Sequence, residues 1–445
     1  MPFLWPIDGT PYHLSDFKYP IITIHIFTVE PDLERRMSAK FFLLLFFIMS
    51  LIGCGGGSPA NSPVPSWQRE AANPLIVPKA TATTVDFGPA DSSVLFDTED
   101  NLWKAWFSST LQDVASGSDV MTIKYAESSD GIAWSEPVVA FQASADTSAW
   151  DYTHAETPAV IKNPDPLAPV NQKFILWYSG ANKTLAASEN RPGADTDFPY
   201  YQIGLAYSAD GKSFVRYTPG LNNKPGLVFS ANASLFGSGL PGVFGDGLVA
   251  DPEVIYYNNM FHMWFSSFAE SVPSPVAPTG RLPLAFGIAH ATSTDGINWS
   301  STHDNPLSSL AKPGEVAAGQ QPTVFFNAAD SQFEMWFSND TDVEKRTVPC
   351  NFNAFIGFWR ATSADGINWT PDYTTRDFSY DNSLPYEELG FLTGVEVVMV
   401  NGIRHAYYSS WGTEQIPNNP AYLCPDHVGG VMPAVLTFSR ISFRT

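Results

Sequence analysis

The side chains of this sequence best placed to move protons are carboxylates. Asp91 lies in Ala90-Asp91-Ser92-Ser93-Val94, Asp251 in Ala250-Asp251-Pro252-Glu253-Val254, and Glu156 in Glu156-Thr157-Pro158-Ala159-Val160. Aligned on the valine, Asp91 and Asp251 share a position, with Glu156 one residue before it. Gln320-Gln321-Pro322-Thr323-Val324 and Thr393-Gly394-Val395-Glu396-Val397 fall into the same register. If Glu156, Asp91 and Asp251 face one cavity, desolvation and mutual repulsion raise one pKa and leave a carboxylic acid beside a carboxylate. That pairing suits general acid and base chemistry. The competing use of Glu156 is a hydrogen bond to the Thr153–His154 loop. Just upstream, Trp150-Asp151-Tyr152-Thr153-His154 brings aromatic rings suited to stacking on a sugar face, with loop packing as the alternative. Phe244 and Asp246, before Asp251, are weaker candidates of the same kind. Glu396 faces either the pocket or a neighbouring element. Arg191, Arg281 and Arg346 sit in long loops, where they are either solvated or clamp a carboxylated sugar.

Other chemistries lack their signatures. The eight histidines form no His-x-x-x-His or His-Glu-x-x-His spacing, so no zinc site is indicated. There is no Gly-x-Ser-x-Gly, phosphate loop or dinucleotide fingerprint, and no cofactor is expected. Acidic residues outnumber basic ones 45 to 24, for a formal charge of −21 and no compensating basic run. That argues against nucleic acid and polyanionic partners.

The elements that position these residues repeat. A strand ending in Trp/Tyr-Phe/Tyr-Ser recurs at Trp106, Trp177, Trp264, Trp336 and Tyr407, at spacings of 71, 87, 72 and 71 residues. Four copies are followed by Ser-x-Asp-Gly-x-x-Trp/Phe, at Asp130, Asp210, Asp295 and Asp365. Such a period, with abundant Gly and Pro and no long helical pattern, predicts an all-β fold: a single five-bladed β-propeller. Each blade reads as four antiparallel strands. Asn258-Asn259 joins the first two strands of blade three, and each Asp-Gly is expected to make a type I′ hairpin turn. The repeated Trp residues belong to the blade core. The fifth unit lacks Asp-Gly, but Trp67 to Asn73-Pro74-Leu75 matches Trp299 to Asn305-Pro306-Leu307. The N-terminal strand should therefore complete the last blade and close the ring. Blade limits fall at about 84–140, 150–219, 245–306, 316–376 and 388–445 plus 67–80. Long second-to-third-strand loops open on the face bearing the first-strand starts, a usual setting for function.

These motifs resemble the arabinanase–levansucrase–invertase superfamily, which includes glycoside hydrolase families 43 and 32, over essentially all of Trp67–Thr445. The resemblance implies a glycan substrate, a base or nucleophile at Asp91 and a supporting role for Asp251. The family's general-acid position, Glu-x-Pro in blade four, is Gln320-Gln321-Pro322 here. An amide is no substitute for a carboxylic acid. Glu156-Thr157-Pro158 supplies the same triplet in blade two, so Glu156 is expected as a non-standard acid. Gln320 and Gln321 are then candidate substrate-binding residues. The alternative is a glycan-binding protein that kept the pocket and lost the acid. Some relatives hold a cation in the central channel, and the sequence leaves that open here. The sialidase Asp-box has a residue between Asp and Gly, absent in all four copies.

The N-terminus reads as an address. Arg35-Arg36-Met37-Ser38-Ala39-Lys40 precedes a 13-residue apolar run, Phe41 to Gly53, shorter than the about 20 residues needed to span a membrane. Leu51-Ile52-Gly53-Cys54 resembles a bacterial lipobox, implying a signal peptide over 37–53, cleavage before Cys54 and lipidation of its thiol. Residues 1–36 are then an upstream extension from a mis-assigned start, and 54–66 a flexible tether. The expectation is a monomer on the bacterial cell envelope, lipid-anchored in the outer membrane. Cys350 and Cys424 fall in equivalent loops of adjacent blades and are expected to form a disulfide.

Overall fold

Each Trp/Tyr-Phe/Tyr-Ser segment is the second strand of an antiparallel sheet, and five such sheets share one axis. The computed structural model describes residues 66–444 apart from 117, 183–200, 231–247, 270–271, 274–280, 283–284, 302–304, 314, 316, 340–356, 389–391, 413–421 and 426–430. Residues 1–65, including Cys54, lie outside this set, as do Cys350 and the side chain of Cys424.

The first strands are Ala90–Asp97, His154–Lys162, Leu248–Tyr257, Gln320–Asn327 and Leu392–Val400. Each packs against the next, and the fifth against the first, so the ring is closed. The second strands are Leu102–Asp113, Phe174–Ala181, Met260–Ala269, Gln332–Ser338 and Ile403–Gly412. Asn258 and Asn259 both take positive φ (51° and 60°), as a type I′ hairpin requires.

The two repeated motifs form one device. Trp106, Trp177 and Trp264 are wholly buried, and each indole N–H donates to a glycine carbonyl of the following blade. The acceptors are Gly211 (2.7 Å), Gly296 (2.9 Å) and Gly366 (2.9 Å). Tyr407 closes the circle by donating to Gly131 at 3.2 Å. The expected type I′ turn is not what forms. Glycine alone takes positive φ in each Asp-Gly pair (71°, 78°, 72° and 76°). The aspartate instead accepts main-chain N–H groups ahead of it, as Asp295 Oδ1 does from Ile297 and Asn298 at 2.8 Å. This Asx-type cap aims the glycine carbonyl outward at the neighbouring tryptophan. A Cβ on Gly296 would lie 2.9 Å from Trp177 Cζ2, so no other residue fits.

Because blade five has no Asp-Gly, the blade-four tryptophan bonds a carboxylate instead. Asp377 Oδ2 accepts from Trp336 (2.6 Å) and also from Trp67 (2.7 Å) of the N-terminal strand. That strand, Ser66–Arg69, pairs antiparallel with Val431–Arg444, which pairs with the second strand of blade five. Asn73 exchanges two bonds with the Arg440 main chain (2.8 and 2.9 Å), as Asn305 does with His290 (both 2.9 Å). The outer strand of blade five therefore comes from the other end of the chain, as the sequence match implied. Arg69 fastens it through a two-point ion pair with the buried Glu387, Nε–Oε1 2.9 Å and Nη2–Oε2 2.7 Å.

Candidate functional site

All five first strands carry a bulge near their starts, where pairing with the second strand slips. The bulged residues are Asp91, Thr157, Asp251, Gln321 and Gly394, with φ of 44°, 47°, 51°, 51° and 56°. Four of the five are not glycine, and such backbone is costly unless the surroundings enforce it. Much of the enforcement comes from the serine that ends the repeated second-strand motif. The N–H of Thr157 donates to Ser108 Oγ (2.7 Å), that of Asp251 to Ser179 (2.9 Å) and that of Gln321 to Ser266 (2.8 Å). Each serine thus holds the bulge of the next blade. Bulges of this kind re-aim side chains, and here they turn five equivalent positions into a ring around the axis.

The ring closes most tightly between blades four, five and one. Asp91 Oδ1 accepts from Gln321 Nε2 at 2.9 Å and lies 2.8 Å from Thr393 Oγ1. The same hydroxyl is 2.9 Å from Gln321 Oε1, so one proton is shared between two acceptors. Gly394 leaves room for this arrangement: a Cβ there would stand 2.3 Å from Asp91 Cα and 2.8 Å from its Oδ1. Inside the ring, a space of about 30 Å³ leads down the axis, lined by Asp91, Thr157, Asp251 and Gln321. It is the size of a single water.

Glu156 stands one residue before its bulge and is 1% exposed. Its Oε1 accepts from the phenol of Tyr201, while Oε2 has no partner among the described residues. Burial pushes its pKa up to about 7; the Tyr201 bond opposes the rise, and Asp91 and Asp251 add to it. Asp251 is also raised by burial, with Asp91 adding and Ser266 opposing. The three acids feel one another, and the most strongly buried carboxylic acid stands beside two aspartates. Gln320, the blade-four counterpart of Glu156, is completely buried, and neither Nε2 nor Oε1 has a partner among the described residues.

Other expected residues fall elsewhere. Trp150 is not a sugar platform: it is 3% exposed, donates its indole N–H to Pro225 O at 2.9 Å and stacks on Tyr178. It belongs to the blade-two core because its ring fills the space beside Gly180, where a Cβ would be 2.6 Å away. Tyr152 is half-buried, and His154 is buried edge-on against Tyr201. Asp246, Phe244, Arg191 and Arg346 lie outside the described residues, as does the side chain of Arg281. Glu396 faces the channel below the ring, its Oε2 3.5 Å from Thr323 Oγ1 of blade four. Tyr201 and Thr393 were not singled out from sequence. Thr393 shares the alignment column of Glu156 and Gln320; Tyr201 ends a long loop and carries no such signal. Among the described residues no three His, Cys, Asp or Glu side chains converge as a metal site.

On the far side of the ring the channel widens to a cavity of about 570 Å³ with apolar walls that include Phe96, Ile161 and Ile255. Glu253 and Glu396 face this space at its inner end. Burial pushes Glu253 up to about 8; burial and the neighbouring Glu253 hold Glu396 well above the carboxylate range.

The fold and this ring define a five-bladed β-propeller with acids at the axis. Solved structures sharing the fold include a glycoside hydrolase, at 14% identity and TM-score 0.51, covering 82% of this chain and 90% of that one. An N-acetylgalactosamine deacetylase from F. plautii, in complex with blood group B trisaccharide, aligns at 14% identity and TM-score 0.50 over 85% and 94%. An endo-arabinase from Bacteroides thetaiotaomicron aligns at 14% and 0.42 over 82% and 96%. At these identities the likeness is one of fold. No protein-family profile matches the chain, and no curated protein matches it in sequence.

Proposed function

We propose that the chain is a lipid-anchored glycosidase that hydrolyses a glycan over the axial ring. The observation that carries this is Glu156, a buried carboxyl whose pKa burial raises to about 7 and whose Oε2 has no partner among the described residues, beside Asp91 and Asp251. An acid poised near neutrality protonates a leaving glycosidic oxygen, while a second carboxylate attacks the anomeric carbon or activates water. Asp91 takes the second role, its Oδ1 oriented by Gln321 and Thr393. Asp251 tunes the pair. Gln320 and Gln321 bind hydroxyls, with Tyr152 and His154 at the margin. Carbohydrate as the substrate class is in keeping with what the structural neighbours act on.

A second reading, glycan binding without turnover, is favoured by Gln320 at the position where related hydrolases carry an acid. Reducing-end release from a panel of neutral polysaccharides, with binding followed by calorimetry, separates the two. A hydrolase loses turnover by about 10²–10⁴-fold in Glu156→Gln and keeps its affinity in Asp91→Asn. Saturable binding with no release from any bound glycan makes the protein a binder. Anchoring is tested by fatty-acid labelling, expected in the wild type and absent in Cys54→Ser.

A further inference from the structure

We propose that Tyr201 is the positioning residue for Glu156: it occupies Oε1 as a donor and thereby fixes the exchangeable proton on Oε2. This inference rests on the reading of Glu156 as the acid, and deepens it.

Geometry carries the argument. The Tyr201 side chain is buried, and its hydroxyl has no other acceptor among the described residues, so its proton goes to Glu156. The ring cannot swing away. His154 meets it edge-on, with centroids 5.4 Å apart and planes at 78°. His154 is tied in turn through Nδ1 to Thr153 Oγ1 (2.7 Å), which donates to Ala181 O at 2.9 Å. Because the Thr153 proton is spent on that carbonyl, His154 carries its own proton on Nδ1. With Oε1 accepting from the phenol, a protonated Glu156 holds its hydrogen on Oε2, the buried oxygen without a partner among the described residues. An orphaned buried oxygen costs about 1–3 kcal/mol, and a substrate oxygen placed there would repay it.

The phenol also sets when the proton leaves. A donor to a carboxyl favours its ionised form, against the burial and the Asp91 and Asp251 charges that favour the neutral one. Tyr201 itself stays protonated, because burial and the Glu156 charge hold its pKa well above the usual phenol value.

The test follows the Glu156 carboxyl by infrared difference spectroscopy, subtracting Glu156→Gln from the otherwise identical full chain across pH 4–10. The band is expected to titrate near pH 7 in the wild type and about one to two pH units higher in Tyr201→Phe, as for the loss of a charge-assisted hydrogen bond. Thr153→Val, which removes the bond to His154 Nδ1, is expected to shift it in the same direction by less, and serves if Tyr201→Phe does not fold. An unchanged or lowered midpoint in a folded variant overturns the proposal. No substrate is needed, so the result stands apart from the hydrolase reading. Where a substrate is found, the alkaline limb of the rate profile should move with the band. A band that moves while the limb stays put retains Tyr201 as the partner of Glu156 but removes Glu156 as the acid.

Discussion

The indole of Trp177 in blade two donates to the carbonyl of Gly296 in blade three, 2.9 Å away and 119 residues further along the chain. The bond joins two motifs that look independent in sequence. Trp177 depends on the Asp-Gly of the next blade, because the aspartate cap and glycine's positive φ together present that carbonyl.

Trp177→Phe keeps an aromatic ring but leaves the Gly296 carbonyl only the Trp299 indole N–H, 3.2 Å away, so a loss of about 0.5–1.5 kcal/mol is expected in urea denaturation. Trp177→Ala adds a cavity and should cost about 3–5 kcal/mol. A loss below about 0.5 kcal/mol in the phenylalanine variant would show that packing alone holds the blades together.

Gln320→Leu should move stability and affinity in opposite directions. Removing two buried amide atoms that lack partners among the described residues is expected to stabilise the fold by about 1 kcal/mol. The same change should weaken glycan binding by about 10–100-fold, if those atoms meet substrate hydroxyls. Loss of stability without loss of affinity would assign Gln320 to the scaffold.

Stability should decline from pH 5 to 8.5 because of Glu253 and Glu396. Their folded pKa values lie above the unfolded one, Glu253 at about 8 against 4.5. The native state therefore retains protons that the unfolded chain has released, and stability present below the unfolded value is lost as pH climbs through the folded one. The loss attributable to Glu253 is on the order of 2–4 kcal/mol. Melting temperatures of Glu253→Gln across this range should fall less steeply than those of the wild type; parallel curves would exclude the pair as the cause.

Arg69→Ala leaves the Glu387 carboxylate, 0% exposed, without its cation, although Tyr408 still donates to it. With Arg69 itself 25% exposed, part of the ion-pair energy is screened, and a loss of about 2–4 kcal/mol is expected. Adding Glu387→Gln should recover part of it. A double variant no better than the single would mean that the guanidinium acts through packing, over the Phe378 ring 4.6 Å away.

Blade number, ring closure and the register of the first strands were legible because each leaves a repeated mark: the motif serines and tryptophans, the Asn-Pro match at Asn73 and Asn305, and the aligned valines. Turn geometry was less so. Asn258-Asn259 forms the expected turn, whereas Asp-Gly gives way to a side-chain cap whose purpose lies in another blade. Trp150 shows the limit of composition, since an aromatic residue near a pocket looks the same in sequence whether it faces sugar or core. Tyr201 had no repeat partner to mark it. Its importance comes from meeting Glu156, 45 residues earlier, across the intervening strand Phe174–Ala181.

Asp91 stands near the start of the propeller, yet its side-chain partners Gln321 and Thr393 are 230 and 302 residues downstream. A polypeptide emerging from the ribosome thus carries its proposed nucleophile or base long before the groups that orient it exist. Fragments ending after blade three would contain Asp91, Glu156 and Asp251 and still lack the Gln321–Thr393 brace. The site is a property of the closed circle, and chemistry at the axis should switch on only once synthesis has delivered blade five to the waiting N-terminal strand.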